Sequence, residues 1–183
     1  MLNRKTVAVA LVLVLLVSML SGCAAGSTVT PPARDIKVSV DDALAAQNAG
    51  MAGLMAGKVE WTEGQFSSFL TVLLQQNTGP NMPIKSIKAW FEPGNKIFLR
   101  AELNDGVLLG GSTIDLAGAV AVGADHHLTV NLTDAAANGM SVSGAPVDMV
   151  SSWINHFLAD PNLGVAVDVK TDQGKLTLGL AQM

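Results

Sequence analysis

The residues whose type and setting first suggest a catalytic or metal site are three histidines, a single cysteine, and serines set between glycines. His126 and His127 are adjacent, so on a strand their side chains point to opposite faces and do not readily share a metal ion. His156 stands in an apolar, helix-like stretch without the His-Glu-x-x-His spacing or the cysteine set that zinc sites use. All three read as solvated surface. The run Gly139-Met140-Ser141-Val142-Ser143-Gly144 approaches a nucleophile elbow but misses its Gly-x-Ser-x-Gly spacing, and reads more easily as the entry to a strand. Gly53 to Lys58 is too short for a phosphate-binding loop and lacks the following Ser or Thr. No acid, base and nucleophile can be assembled from these parts. The expectation is therefore a protein that is not an enzyme, with no catalytic residue, no metal ligand and no cofactor.

Cys23 is the exception, because of what precedes it. Arg4 and Lys5 make a basic start, Val7 to Leu20 is apolar except for Ser18, and small residues lead up to the cysteine. This is the pattern of a secretory signal. The apolar run is shorter than the roughly 18 to 20 residues a helix needs to cross the hydrocarbon of a bilayer. The four residues Leu20-Ser21-Gly22-Cys23 resemble the lipobox of bacterial lipoproteins, in which Cys23 matches the lipidated position. That resemblance implies cleavage after residue 22 and a diacylglycerol on Cys23, joined by an N-acyl chain where N-acylation follows. Two or more acyl chains anchor a protein stably, where one is marginal. The expected location is the outer face of the cytoplasmic membrane or the outer membrane. Ala24 stands where an aspartate commonly retains such lipoproteins at the inner membrane.

Loss of residues 1–22 leaves 161 of the 183 residues, enough for one domain that buries roughly 70% of its unfolded surface. Arg4 and Lys5 leave with the signal, so nine basic and fifteen acidic residues remain and the net charge falls from −4 to −6. Nucleic acid is an unsuitable partner for that charge. With no second cysteine, the domain must hold together by burial without disulfides.

Residues 23–37 read as a lipidated N-terminus and flexible tether, and 38–183 as one α+β domain. Ala24 to Arg34 is small, polar and proline-containing, without periodicity. Asp41 and Asp42 can open a helix over 40–57, with Leu44, Met51, Leu54 and Met55 near one side. Ala43, Ala46, Gly50, Gly53 and Gly57 form a second stripe, small enough for another backbone to approach. The segment reads as a weak helix that packs on the domain or, less simply, as a mobile one. After a short strand, Thr62 and Gln65 have the form of a capping box. Phe66, Phe69, Leu70, Leu73 and Leu74 then make a broad helical apolar face that stops near Asn77-Thr78-Gly79-Pro80.

Beyond Ile84 the period becomes two. Glu92-Pro93-Gly94-Asn95 reads as a hairpin turn, with Ile97, Leu99, Ala101 and Leu103 on one face of its second arm. Ile114, Leu116, Val120 and Val122 predict a further strand, and Leu128, Val130 and Leu132 its return after Gly123-Ala124-Asp125. A second helix starts near Pro146 with Val147, Val150, Trp153, Ile154, Phe157 and Leu158 on its apolar face, and ends at Asp160-Pro161. Val165, Val167 and Val169 pair off against Leu176, Leu178 and Leu180 in a terminal hairpin. The fold class is α+β, a meandering antiparallel sheet of about six to eight strands wrapped against two amphipathic helices.

The run Val59-Glu60-Trp61-Thr62-Glu63 into Phe66-Ser67-Ser68-Phe69-Leu70, the Glu92-Pro93-Gly94-Asn95 hairpin, and the Gly144-Ala145-Pro146 helix with its terminal hairpin resemble small bacterial envelope lipoproteins of the tubular lipid-binding (TULIP-like) type. The resemblance covers roughly Val59 to Leu180 in order and pattern, and rests on no chemically diagnostic motif. It implies a half-barrel with an apolar tunnel between sheet and helix. Phe66, Phe69, Leu73, Val150, Trp153 and Phe157 would then line a site for a lipid or other apolar small molecule. The alternative is a structural or protein-interacting lipoprotein in which the same residues form a closed core. Its partners, beyond the membrane that holds the anchor, are left open.

Overall fold

The computed structural model describes residues 29–77, 84–104, 113–137, 139–159 and 165–181. Leu20-Ser21-Gly22-Cys23 lies outside them, as do Thr78-Gly79-Pro80 and Asp160-Pro161. Ser39 has extended backbone and its hydroxyl accepts the Asp42 N–H at 3.1 Å, which starts helix α1, Val40–Ala56. Asp41 and Asp42 in the first turn suit the positive end of its dipole. Gly57, at φ 70°, closes the helix by donating its N–H to the Gly53 carbonyl. Strand β1, Lys58–Thr62, follows directly.

The capping box predicted at Thr62 forms in both directions. The Thr62 N–H donates to Gln65 Oε1 at 3.0 Å, and the Gln65 N–H donates to the Thr62 hydroxyl at 3.2 Å. They start helix α2, Glu63–Asn77. Strands β2 (Ile84–Glu92), β3 (Lys96–Leu103), β4 (Thr113–Val122), β5 (Leu128–Ala137) and β6 (Met140–Ser141) then form an antiparallel meander in chain order. Helix α3, Ala145–Leu158, carries the predicted proline in its first turn. Strands β7 (Ala166–Asp172) and β8 (Lys175–Leu180) close the chain.

The described residues thus form an α+β fold with eight antiparallel strands, divided between two sheets, and three helices. The second sheet has the order β1-β8-β7, because the terminal hairpin takes β1 as its third strand: Trp61 stands opposite Leu176 and Val59 opposite Leu178. The two sheets meet where their hairpins turn. The Gly174 N–H donates to the Phe91 carbonyl at 3.1 Å, the Thr171 N–H to Asn95 Oδ1 at 3.1 Å, and the Thr171 hydroxyl to the Glu92 carbonyl. Among the described residues no helix is long and apolar enough to cross a membrane.

Most of the predicted inward faces are inward. Ile97, Leu99, Ala101 and Leu103 are buried, as are Ile114, Leu116, Val120, Leu128, Val130, Leu176, Leu178 and Leu180. The terminal hairpin departs from expectation on one arm. A register shift between Ala166 and Asp168 puts Ala166 inside and leaves Val165 and Val167 exposed, so the three valines do not share a face.

Helix side chains hydrogen-bond to the backbone at both sides of the five-stranded sheet. On β2, Phe91 N–H donates to Glu63 Oε1 at 2.9 Å, and Ala89 N–H to the Ser67 hydroxyl at 2.8 Å. The Thr71 hydroxyl accepts from the Ile87 N–H at 3.1 Å and donates to the Ile87 carbonyl at 3.2 Å. Four residues of helix rise about 6 Å and two residues of strand about 6.8 Å, so residues 63, 67 and 71 keep step with 91, 89 and 87. On β5, where β6 covers only Ala136 and Ala137, the Asn155 amide of α3 accepts the Val130 N–H at 2.7 Å and donates to its carbonyl at 3.0 Å. Unpaired edges template aggregation, and these polar groups remove that risk from inside the fold.

Candidate functional site

The six residues expected to line one tunnel fall into three environments. Phe66 is fully buried among Trp61 and Phe91, with ring centroids at 6.0 and 5.2 Å, and belongs to the closed core beneath α2. Val150 is likewise without exposure, on the inner face of α3. Trp153 and Phe157 are half-buried and pack edge-to-face at 4.5 Å on α3. Phe69 and Leu73 are half-buried on α2 and line a groove against α1. Helical periodicity marks a side chain as apolar-facing without saying which neighbour covers it.

That groove has a volume of about 190 Å³ and is walled by Val40, Leu44 and Gln47 from α1 and by Phe69, Leu73 and Gln76 from α2. Neither Phe66, Val150, Trp153 nor Phe157 reaches it. Its base is set by the way α1 packs. Ala43, Ala46 and Gly53 are the buried residues of that helix, and the Trp61 indole N–H donates to the Ala46 carbonyl at 2.9 Å. A Cβ at Gly53 would stand 2.7 Å from the Lys58 carbonyl oxygen and collide with the Val59 side chain, so glycine there allows the helix to fold back onto β1. The expected apolar side of α1 is the outer one: Leu44, Met51 and Met55 are exposed and Leu54 is half-buried. The small-residue stripe does the packing because it lets backbone approach backbone, which large side chains would prevent.

The segment read as a tether is joined to the domain sooner than position 38. Pro31 and Ile36 are buried, and between them Arg34 reaches two carboxylates. Its guanidinium donates to Glu63 at 2.6 and 3.3 Å, to Glu92 at 2.8 Å and to the Phe91 carbonyl at 3.2 Å. The Trp90 indole N–H donates to the Arg34 carbonyl at 2.9 Å. Hydrogen bonding to Glu63 raises the Arg34 pKa above its ordinary value, against the opposing pull of burial, with Glu92 adding to the rise. Glu63 is itself buried and receives both Arg34 and the Phe91 N–H. A buried carboxylate that accepts three hydrogen bonds inside the fold is a structural tie between the N-terminal segment, α2 and β2. Sequence reasoning missed this cluster. The cue was Glu63 in the first turn of a helix whose positions 67 and 71 are also polar.

The remaining chemistry-bearing residues stay apart. His126 is exposed at φ 61° in the turn between β4 and β5, so the two adjacent histidines lie in a turn and not on a strand. His127 is half-buried there with Nδ1 unpaired, and His156 is exposed beside Phe157. No group of three His, Cys, Asp or Glu side chains stands at metal-binding distance among the described residues. Ser141 and Ser143 are exposed, Ser141 within the two-residue strand β6. Gly53 to Lys58 runs from the last turn of α1 through its Gly57 cap into β1, and a helix C-terminus presents carbonyl oxygens and so repels a phosphate. Comparison with known proteins finds no family model, no curated protein and no solved structure that matches this chain.

Proposed function

We propose that this chain is a lipid-anchored cell-envelope lipoprotein, acylated at Cys23, whose domain works by surface contact and does no covalent chemistry. The observation that carries the contact reading is the outer face of α1, where Val40, Leu44, Met51 and Met55 are all at least half exposed, Met55 at 88%. An apolar surface of this kind, rimmed by polar residues, is what interaction sites use. The closed packing of Phe66 and Val150 supports the same reading over a tunnel that runs through the domain.

A second reading keeps a lipid or other apolar small molecule as ligand, held in the groove of Phe69 and Leu73. Its volume of about 190 Å³ is below the roughly 300 Å³ of ordinary small-molecule sites, so the groove suits part of an acyl chain. Two measurements test these readings. Cys23→Ser should move the chain from membrane to soluble fractions or leave it unprocessed, and a serine variant that is still cleaved and acylated refutes the anchor. Uptake of a fluorescent fatty acid that Leu73→Trp abolishes without loss of stability would favour the ligand reading over the contact one.

A further inference from the structure

The exposed apolar residues of α1 are spaced symmetrically. Val40, Leu44, Met51 and Met55 stand four, seven and four residues apart, and at about 100° per residue they span an arc of about 60°, with Gln47 and Asn48 midway along its length and flanking it on either side. A second copy of the helix laid antiparallel, about a two-fold axis between Gln47 and Asn48, sets Val40 against the partner's Met55. It also sets Leu44 against the partner's Met51, and Gln47 against the partner's Asn48. We propose that α1 is a self-complementary dimer surface, pairing with α1 of a second copy of this chain. This deepens the contact reading by naming the partner, and rests on it.

Charge selects the antiparallel arrangement. The ionisable residues of α1 are Asp41 and Asp42, both at its N-terminus. Parallel helices would crowd four carboxylates at one end, whereas antiparallel helices hold the two pairs about 20 Å apart and oppose the two helix dipoles. The groove between α1 and α2 lies at the Val40 and Leu44 end, which is where the partner's Met51 and Met55 arrive. Unbranched, polarizable methionine side chains fill irregular gaps of that kind. A bilayer suits the face less well, because interfacial helices carry Lys or Arg on their polar side and α1 has neither. The helix face is about 25 Å long and 10 to 12 Å wide, less than the roughly 800 Å² per partner of a stable interface. The pairing therefore depends on the anchor, which confines both copies to one membrane and raises their effective concentration.

The test uses the full chain in its bacterial membrane, with Gln47→Cys and a short thiol-to-thiol cross-linker. The expected result is a product of twice the monomer mass, absent when the cysteine is placed instead at the exposed turn residue Gln173. Leu44→Glu, added to Gln47→Cys, should lower the dimer about tenfold or more, and Met51→Lys should restore it, because each glutamate then meets the partner's lysine. Met55→Glu, at the most exposed position, is a second disrupting variant with little risk to folding. A membrane-bound Gln47→Cys chain that gives no dimer overturns the pairing, as does a dimer indifferent to Leu44→Glu and Met55→Glu. Labelling of residue 47 by a bilayer-borne reagent in place of the dimer would assign the face to lipid and overturn it too. A chain found only in the soluble fraction fails the anchor instead, so the two readings fail separately.

Discussion

Helices α1 and α2 are separated by one strand and have 17 and 15 residues, yet they bury opposite kinds of side chain. Helix α2 turns Phe66, Leu70 and Leu74 into the core and aligns Glu63, Ser67 and Thr71 along the edge of β2. Helix α1 buries Ala43, Ala46 and Gly53 and turns Leu44, Met51 and Met55 outward. One helix is held by apolar area and a polar row, the other by close approach of backbones. An apolar stripe identifies the buried face only when nothing smaller competes. Dispersion and backbone contact at short range can hold a helix whose larger side chains remain in water.

Breaking each helix's own device should give effects of very different size. Glu63→Ala removes the acceptor for Arg34 and for the buried Phe91 N–H together. Breaking a buried ion pair costs about 3 to 5 kcal/mol, and the partial exposure of Arg34 reduces that here to about 2 to 4 kcal/mol. Urea unfolding of the membrane-free domain should show a lower midpoint with an unchanged slope; a loss under about 1 kcal/mol would mean that the cluster does not tie the N-terminal segment to α2. Gly53→Ala on α1 should cost about 1 to 3 kcal/mol, since the new methyl meets the Lys58 backbone and Val59. Met55→Ala, two residues further on, removes far more atoms but from an exposed position, and should change stability by less than about 0.5 kcal/mol. If thermal unfolding ranked Met55→Ala above Gly53→Ala, the account of which face of α1 packs would be reversed.

Much of the fold is legible in the chain, for local reasons. The Thr62 and Gln65 capping box, the Pro93-Gly94 turn and the alternation from Ile97 to Leu103 each depend on residues within a few positions of one another. The misplaced features depend on distant partners. The bulge that turns Val167 outward follows from how β7 registers on β8, and the docking of Arg34 depends on carboxylates 29 and 58 positions away. The six residues expected around one tunnel share apolar character, but their environments differ because α2 packs chiefly on β2 and α3 on β5, at opposite sides of the five-stranded sheet.

The elements and their order are written locally in the chain, because caps, turns and periodicities act through the nearby backbone. Tertiary structure alone decided that the strands divide into two sheets, that Glu63, Ser67 and Thr71 seal an edge, and that the small side of α1 faces inward. Those outcomes turn on whether groups far apart in the chain come within a hydrogen bond or a van der Waals contact, and periodicity along one segment carries no record of its neighbour.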